Sequence, residues 1–219
     1  MKERQPKHRQ ADKERARLER RTASRAGLPT ALIVCEGRCT EPYYLGGLIE
    51  HLGVNAANAH IQTGSYKTDA LSLVRDAQAR FRKNPEYDRV FIVLDGDQAH
   101  LDEARREAGK GLAKAGGGRI TVELIVTSPC FEYWLLLHFE YTTRGLRSAD
   151  AVRAVEAHLT DYEKGDRAIF AKVSGGLAMA EAIAARGIRD IAATGATSPR
   201  TDMPLLVAAL RAMRRRHPE

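Results

Sequence analysis

The chain has 219 residues, 43% of them hydrophobic and 29% charged, with a formal net charge of +7. That balance suits one globular domain with some extra chain, or two small ones, with enough apolar mass for a core. It excludes a membrane span, since no run approaches the roughly 18 apolar residues required, and a disulfide framework, since there are three cysteines. The N-terminus is charged from Lys2 onward with no apolar stretch behind it, unlike a secretory signal, and the three cysteines make a reducing cytoplasm the expected location.

The charge is unevenly spread. Residues 1–26 hold ten Lys/Arg and four Asp/Glu, and residues 211–219 hold four Arg and one Glu. The 184 residues between these ends carry a net charge of about −2. Two basic ends on a near-neutral body suit a polyanion, most commonly nucleic acid, although a solvated tail and a helix end complementing its own dipole give the same pattern. Residues 1–26 read as a basic, disordered extension or at most a solvated helix, and residues 27–219 as the folded domain.

Residues 30–35 form a continuous apolar run, as in a buried parallel strand. Thr40-Glu41-Pro42 then reads as a helix start, and Tyr43, Tyr44, Leu48 and Leu52 recur at helical spacing. A short strand is expected at residues 59–62 and a helix through Leu71, Val74 and Phe81, ended by Asn84-Pro85. Residues 89–94 form a second strong apolar run, ending at Asp95-Gly96-Asp97. A charged helix over 99–114, a strand over 120–126 and helices over 130–141, 149–159, 177–185 and 203–215 complete the pattern. Strands alternating with helices predict an α/β fold with a mostly parallel sheet and a helical C-terminal part.

Two strand ends carry acids: Glu36 after the first strong strand, and Asp95 and Asp97 after the second. The carboxyl ends of parallel strands line the edge where ligands bind. Three carboxylates gathered there would repel one another. A divalent cation relieves that repulsion, and oxygen ligands favour Mg²⁺ or Mn²⁺. A plain Asp-Gly turn is the competing reading of Asp95-Gly96.

Glu132 is a further candidate. With Ser128 as N-cap and Pro129 in the first turn, a capping box would place its acid at Phe131, so Glu132 misses it by one. Its neighbours Phe131, Tyr133 and Trp134 are apolar for a merely solvated acid, so Glu132 is expected to face the carboxylate cluster. His138, on an apolar helix, reads as a hydrogen-bonded core residue rather than a ligand. A zinc site from Cys35, Cys39, Cys130 and His138 matches no compact spacing. No P-loop, dinucleotide fingerprint or G-x-S-x-G element occurs. Asp95-Gly96-Asp97 also resembles the opening of a haloacid-dehalogenase phosphatase, but it lies mid-chain and is followed by Gln98.

Leu32-Ile-Val-Cys-Glu-Gly37, Thr40-Glu-Pro-Tyr-Tyr44, Val93-Leu-Asp-Gly-Asp97 and Ser128-Pro-Cys-Phe-Glu-Tyr-Trp-Leu-Leu-Leu-His-Phe139, in this order, resemble the motifs of RloB-like proteins. A weaker likeness continues through Tyr162-Glu-Lys164 and Ser198-Pro-Arg-Thr201, so that roughly residues 30–210 are covered. The resemblance implies a Toprim-type fold, a place in prokaryotic antiviral or abortive-infection defence, and often an ATPase partner. It also implies that Glu36, Asp95 and Asp97 hold metal at a phosphodiester. Family members often carry Asn at 128 and 198 and Lys at 163; Ser keeps the capping ability of Asn, and Lys164 could serve the basic role. The expected function is a metal-dependent nuclease acting on DNA or RNA, with Glu132 completing the site or acting as general base. A nucleic-acid-binding or sensor module regulating a partner ATPase is the rival, and a homo-oligomer is compatible with either.

Overall fold

The computed structural model describes residues 28–64, 69–114, 117–195 and 197–214; the basic extension expected at residues 1–26 lies outside them. Strand β1 (Ala31–Cys35) is apolar and buried at every position. Such a strand needs cover on both faces. β2 (Ala59–Thr63) and β3 (Arg89–Asp95) flank it, both parallel to it. β6 (Val122–Ser128) pairs parallel with β3, and β7 (Arg200–Thr201) pairs antiparallel with β6. The sheet order is β2-β1-β3-β6-β7. This is the mostly parallel α/β sheet expected from the sequence, consistent with a Toprim-like fold. Two short strands, β4 (Leu112–Ala113) and β5 (Arg119–Ile120), pair antiparallel with each other beside it.

Alternate residues of each strand feed two separate cores, as the two-residue period of a strand requires. Ala31, Ile33 and Cys35, with Phe91, Val93 and Ile125, face one layer. That layer contains α1 (Thr40–His51), α4 (Phe131–Leu136), α6 (Ile169–Val173), α7 (Leu177–Thr194) and α8 (Met203–Ala212). Leu32, Val34, Val90, Ile92 and Leu94 face the other, formed by α2 (Ala70–Lys83) and α3 (Leu101–Gly109). α2 illustrates the local logic. Asp69 caps it by accepting from the Ser72 N–H at 3.0 Å, its last turn carries Arg80, Arg82 and Lys83 against the dipole, and Leu73, Val74, Ala77 and Phe81 form its buried face. α5 (Ser148–His158) packs against α4.

Several boundaries differ from the sequence reading. The charged helix ends at Gly109 rather than 114, because Gly111 turns the chain at φ 61° into β4. Ser128 is not an N-cap: it ends β6, the Ser128–Pro129 peptide is cis, and Cys130 precedes the helix. The helix expected to reach residue 141 stops at Leu136 and passes into turns over 137–139. α7 runs nine residues past 185, to Thr194. The last helix ends at Ala212, and Arg215 lies outside the described residues. Among the described residues, no helix is long and apolar enough to cross a membrane.

Candidate active site

The strand order reverses at β1, with β2 on one side and β3 on the other. In an open α/β sheet such a switch opens a crevice at the carboxyl ends of the strands. Glu36 leaves β1 there, its N–H donating to the Val93 carbonyl at 2.9 Å. Asp95 is the last residue of β3. The two acids are tied together: Glu36 accepts from the Asp95 N–H at 3.1 Å and from the Gln98 amide at 2.5 Å. Asp95 Oδ1 in turn accepts from the Phe131 N–H at 2.8 Å, which fastens the end of β3 to the start of α4. Glu132 follows directly on α4 and is 4% exposed, so the helix start that β3 holds also delivers Glu132 to the crevice.

The fourth acid of the cluster is Glu41. The sequence presents it as part of a helix start, and it does lie in the first turn of α1, but it is buried at 8% exposure and its carboxylate lies directly over Gly37. A Cβ at position 37 would fall inside that carboxylate. Glu36, Glu41, Asp95 and Glu132 line one cleft of about 260 Å³, with Lys164 and Arg38 also on its wall.

Gathering four acids in one partly buried cleft has an electrostatic cost. Burial, then the Glu41, Glu36, Glu132 and Asp97 charges, push Asp95 up to about 8. Burial and the charges of Glu41 and Asp97 push Glu36 up to about 7, against the hydrogen bonds from Asp95 and Gln98. Glu41 is raised as well, chiefly by burial and then by Glu132. Glu132 behaves oppositely. Burial alone would raise it, but the Cys130 thiol and the Lys164 ammonium hold it below the usual carboxylate range. Lys164 Nζ lies 3.3 Å from Glu132 Oε1, and the Tyr162 hydroxyl donates to the same oxygen at 3.1 Å.

Asp97 is placed differently. It is exposed, accepts from the Ser148 hydroxyl at 2.8 Å and does not line the cleft, although its charge reaches both Glu36 and Asp95. His138 is a core residue. Its Nδ1 lies 3.0 Å from the Trp134 carbonyl and its Nε2 3.1 Å from the Tyr44 hydroxyl, and burial lowers its pKa to about 4. The backbone carbonyl can only accept, so Nδ1 carries the proton and Nε2 accepts from Tyr44. The ring nitrogens are thus committed to the protein interior. Cys39 is exposed while Cys35 and Cys130 are buried. Among the described residues no group of three or more His, Cys, Asp or Glu side chains is placed to hold a metal ion as it stands.

The oxygen-only donor set nevertheless suits a hard divalent cation. Such an ion retains waters and completes its shell with one or two carboxylates and substrate oxygens, so a preassembled cage is not required. Burial first, and then the neighbouring acids, raise the proton affinities of Asp95 and Glu36, and a dication would offset both.

Gly37→Ala tests the arrangement locally. The methyl group would displace Glu41 from its seat, and misplacing one group of a site by about 1 Å can cost on the order of 100-fold in rate. We expect Gly37→Ala to lose at least about tenfold in any cleavage activity while circular dichroism shows the fold retained. Unchanged activity would remove Glu41 from the site.

A family model described as RloB-like protein matches residues 31–210. Searches of the curated proteins and of the solved structures gave no match.

Proposed function

The chain belongs to the RloB-like protein family, and we propose that it is a metal-dependent nuclease acting on DNA or RNA phosphodiesters in prokaryotic antiviral defence. The observation that carries this reading is the four-carboxylate cleft at the strand-order switch, with two of its acids raised to about 8 and 7. Glu36 and Asp95 would hold Mg²⁺ or Mn²⁺, with Glu41 beside them and Asp97 joining if it leaves Ser148. When bound, the ion supplies Lewis-acid polarisation of a phosphoryl oxygen and acidifies a water.

The chain's own residues supply the rest. Glu132, ionised at neutral pH with Cys130 and Lys164 against it, would accept a proton from an attacking water, and only as a weak base while Lys164 is in place. Asp95, bonded to the Phe131 N–H, and Glu36, bonded to the Asp95 N–H and Gln98, are fixed in orientation before substrate arrives. The hydroxyl of Tyr162 orients Glu132 Oε1.

A second reading, a catalytically weak sensor of nucleic acid that regulates a partner ATPase, is favoured by two contacts. Lys164 already neutralises Glu132, and Ser148 already holds Asp97. A cleavage screen separates the two. Purified protein is incubated with single- and double-stranded DNA, RNA and tRNA, with Mg²⁺, Mn²⁺ or EDTA, with and without a neighbouring ATPase. The nuclease reading expects cleavage that needs the metal. Metal-independent binding without turnover on every polymer supports the sensor instead.

A further inference from the structure

The segment joining α5 to α6, residues 159–168, reaches the wall of the carboxylate cleft at Lys164. It is fastened at several points. Tyr162 is buried and donates to Glu132. Gly165, at φ 99°, lies beside Cys39, where a Cβ would meet that side chain at an ordinary contact distance of 3.4 Å. Lys172 of α6 clamps both arms of the segment, reaching Asp161 at 2.5 Å and Asp166 at 2.8 Å. A backbone held this firmly presents two cations. Lys164 enters the cleft wall but leaves its side chain 68% exposed. Three residues on, the Arg167 guanidinium lies 5.4 Å over the ring of Tyr43, a residue of α1 next to the helix start that carries Glu41.

The charge arrangement gives this placement a purpose. A cleft with four acids repels a phosphodiester, and a strand entering it needs a cation that can move to meet it. Lys164 makes one contact with Glu132, at 3.3 Å, across an ion pair open to solvent on the lysine side. The lysine end stays hydrated, so its departure costs that side little, and the cost falls on the buried Glu132. Glu132 is not abandoned if Lys164 leaves, because the Tyr162 hydroxyl and the Cys130 thiol remain beside it. Lysine suits the exchange: its ammonium is a point charge on a flexible stem, able to swing from one oxygen partner to another.

We propose that residues 159–168 form a phosphate grip, in which Lys164 exchanges Glu132 for a backbone phosphate of a nucleic-acid strand and Arg167, seated on Tyr43, holds the strand beside it. This rests on the reading that the cleft receives nucleic acid. It adds the residues that take the strand, and it assigns Lys164 to substrate rather than to the permanent neutralisation of Glu132.

The test is binding rather than turnover. Fluorescein-labelled phosphorothioate oligonucleotides, DNA and RNA, are titrated with full-length wild type, Lys164→Ala, Lys164→Arg and Lys164→Ala/Arg167→Ala over a KCl series, read by anisotropy. Each lost phosphate contact should flatten the slope of log K against log salt by about 0.7 for a single strand. Lys164→Ala should therefore flatten it by one contact and weaken binding about tenfold at low salt. Lys164→Arg should restore the slope, and the double variant should lose two contacts. Circular dichroism melting should show all four proteins folded. An unchanged slope in Lys164→Ala, a lysine-to-arginine variant as impaired as the alanine one, or a wild type that binds neither oligonucleotide overturns the grip. Cleavage assays with unmodified oligonucleotides on the same preparations separate this from the nuclease reading. A slope change without cleavage supports the grip and removes the nuclease. Cleavage with an unchanged slope does the reverse.

Discussion

Replacing Asp95 with asparagine should sharply reduce metal-dependent cleavage and yet make the metal-free protein more stable at pH 8. The side chains are nearly isosteric, and the asparagine oxygen can still accept from the Phe131 N–H. What disappears is a charge set among Glu36, Glu41 and Glu132 in a partly buried cleft. The sign follows from linkage. Asp95 is raised to about 8 in the fold from an ordinary value of 3.8. The folded state therefore holds its proton where the unfolded chain has released it, and the wild type loses stability as pH rises from 3.8 through about 8. Below that window both proteins are neutral at this position and should be equally stable. At pH 8 the asparagine variant should be ahead by on the order of 2–4 kcal/mol. Urea denaturation in EDTA at pH 4, 6 and 8 reads the difference directly. Taking the variant-minus-wild-type difference cancels His138, whose lowered pKa acts in the opposite direction between about 6.5 and 4. Cleavage should fall by about 100- to 1,000-fold or more, the loss typical when one electrostatic element of a reaction site is removed. A wild type as stable as the variant at pH 8 would mean that the Asp95 charge meets neither the burial cost nor the repulsion that a cation would offset.

Trp134→Ala should cost about 3–5 kcal/mol, a large part of the 5–15 kcal/mol typical of a domain. Trp134 is fully buried on α4, edge-on to Tyr44 at 6.4 Å and to His138 at 5.0 Å between ring centroids. Tyr44 also packs edge-on to Phe131 and Phe170. These rings join α1, which carries Glu41, to α4, which carries Glu132. The cavity would therefore loosen the relation between two site acids as well as the core. Trp134→Phe, which refills much of the space, should lose considerably less. Denaturant melts give the stability difference, and a cleavage assay at a temperature where both variants are folded shows whether the site follows the core. An alanine variant within 1 kcal/mol of wild type would contradict the packing described.

The strands and the strand-end acids are readable because their signals are local. Ala31–Cys35 and the apolar part of Arg89–Asp95 are unbroken runs, and a run that ends in an acid puts the acid at the sheet edge. Glu132 stands out by missing the capping position among aromatics. The physical reason differs from the sequence argument, however: Cys130, not Ser128, precedes the helix, and Glu132 is buried because the Phe131 N–H is bound by Asp95. Glu41 is hidden because an acid in the first turn of a helix is explained by the helix dipole alone. Only the fold shows it lying over Gly37 and facing Glu132 across the cleft. Asp97 is the converse case. Its spacing from Asp95 suggests a shared site, but the turn at Gly96 directs it to Ser148, fifty-one residues on, a contact no local pattern announces. β7 is illegible for the same reason: it is two residues long and pairs with β6 across more than seventy positions, with the Thr127 and Thr201 hydroxyls 2.8 Å apart.

Whether the carboxylate cleft takes a divalent cation is read by a Mn²⁺ titration of wild type and Asp95→Asn at pH 8, followed by electron paramagnetic resonance of the free ion. Wild type should take up Mn²⁺ saturably, Mg²⁺ should compete for it, and Asp95→Asn should take up little or none under the same conditions. Saturable uptake equal in both proteins would place the ion away from Asp95, and no uptake by the folded wild type would contradict the metal-dependent reading altogether.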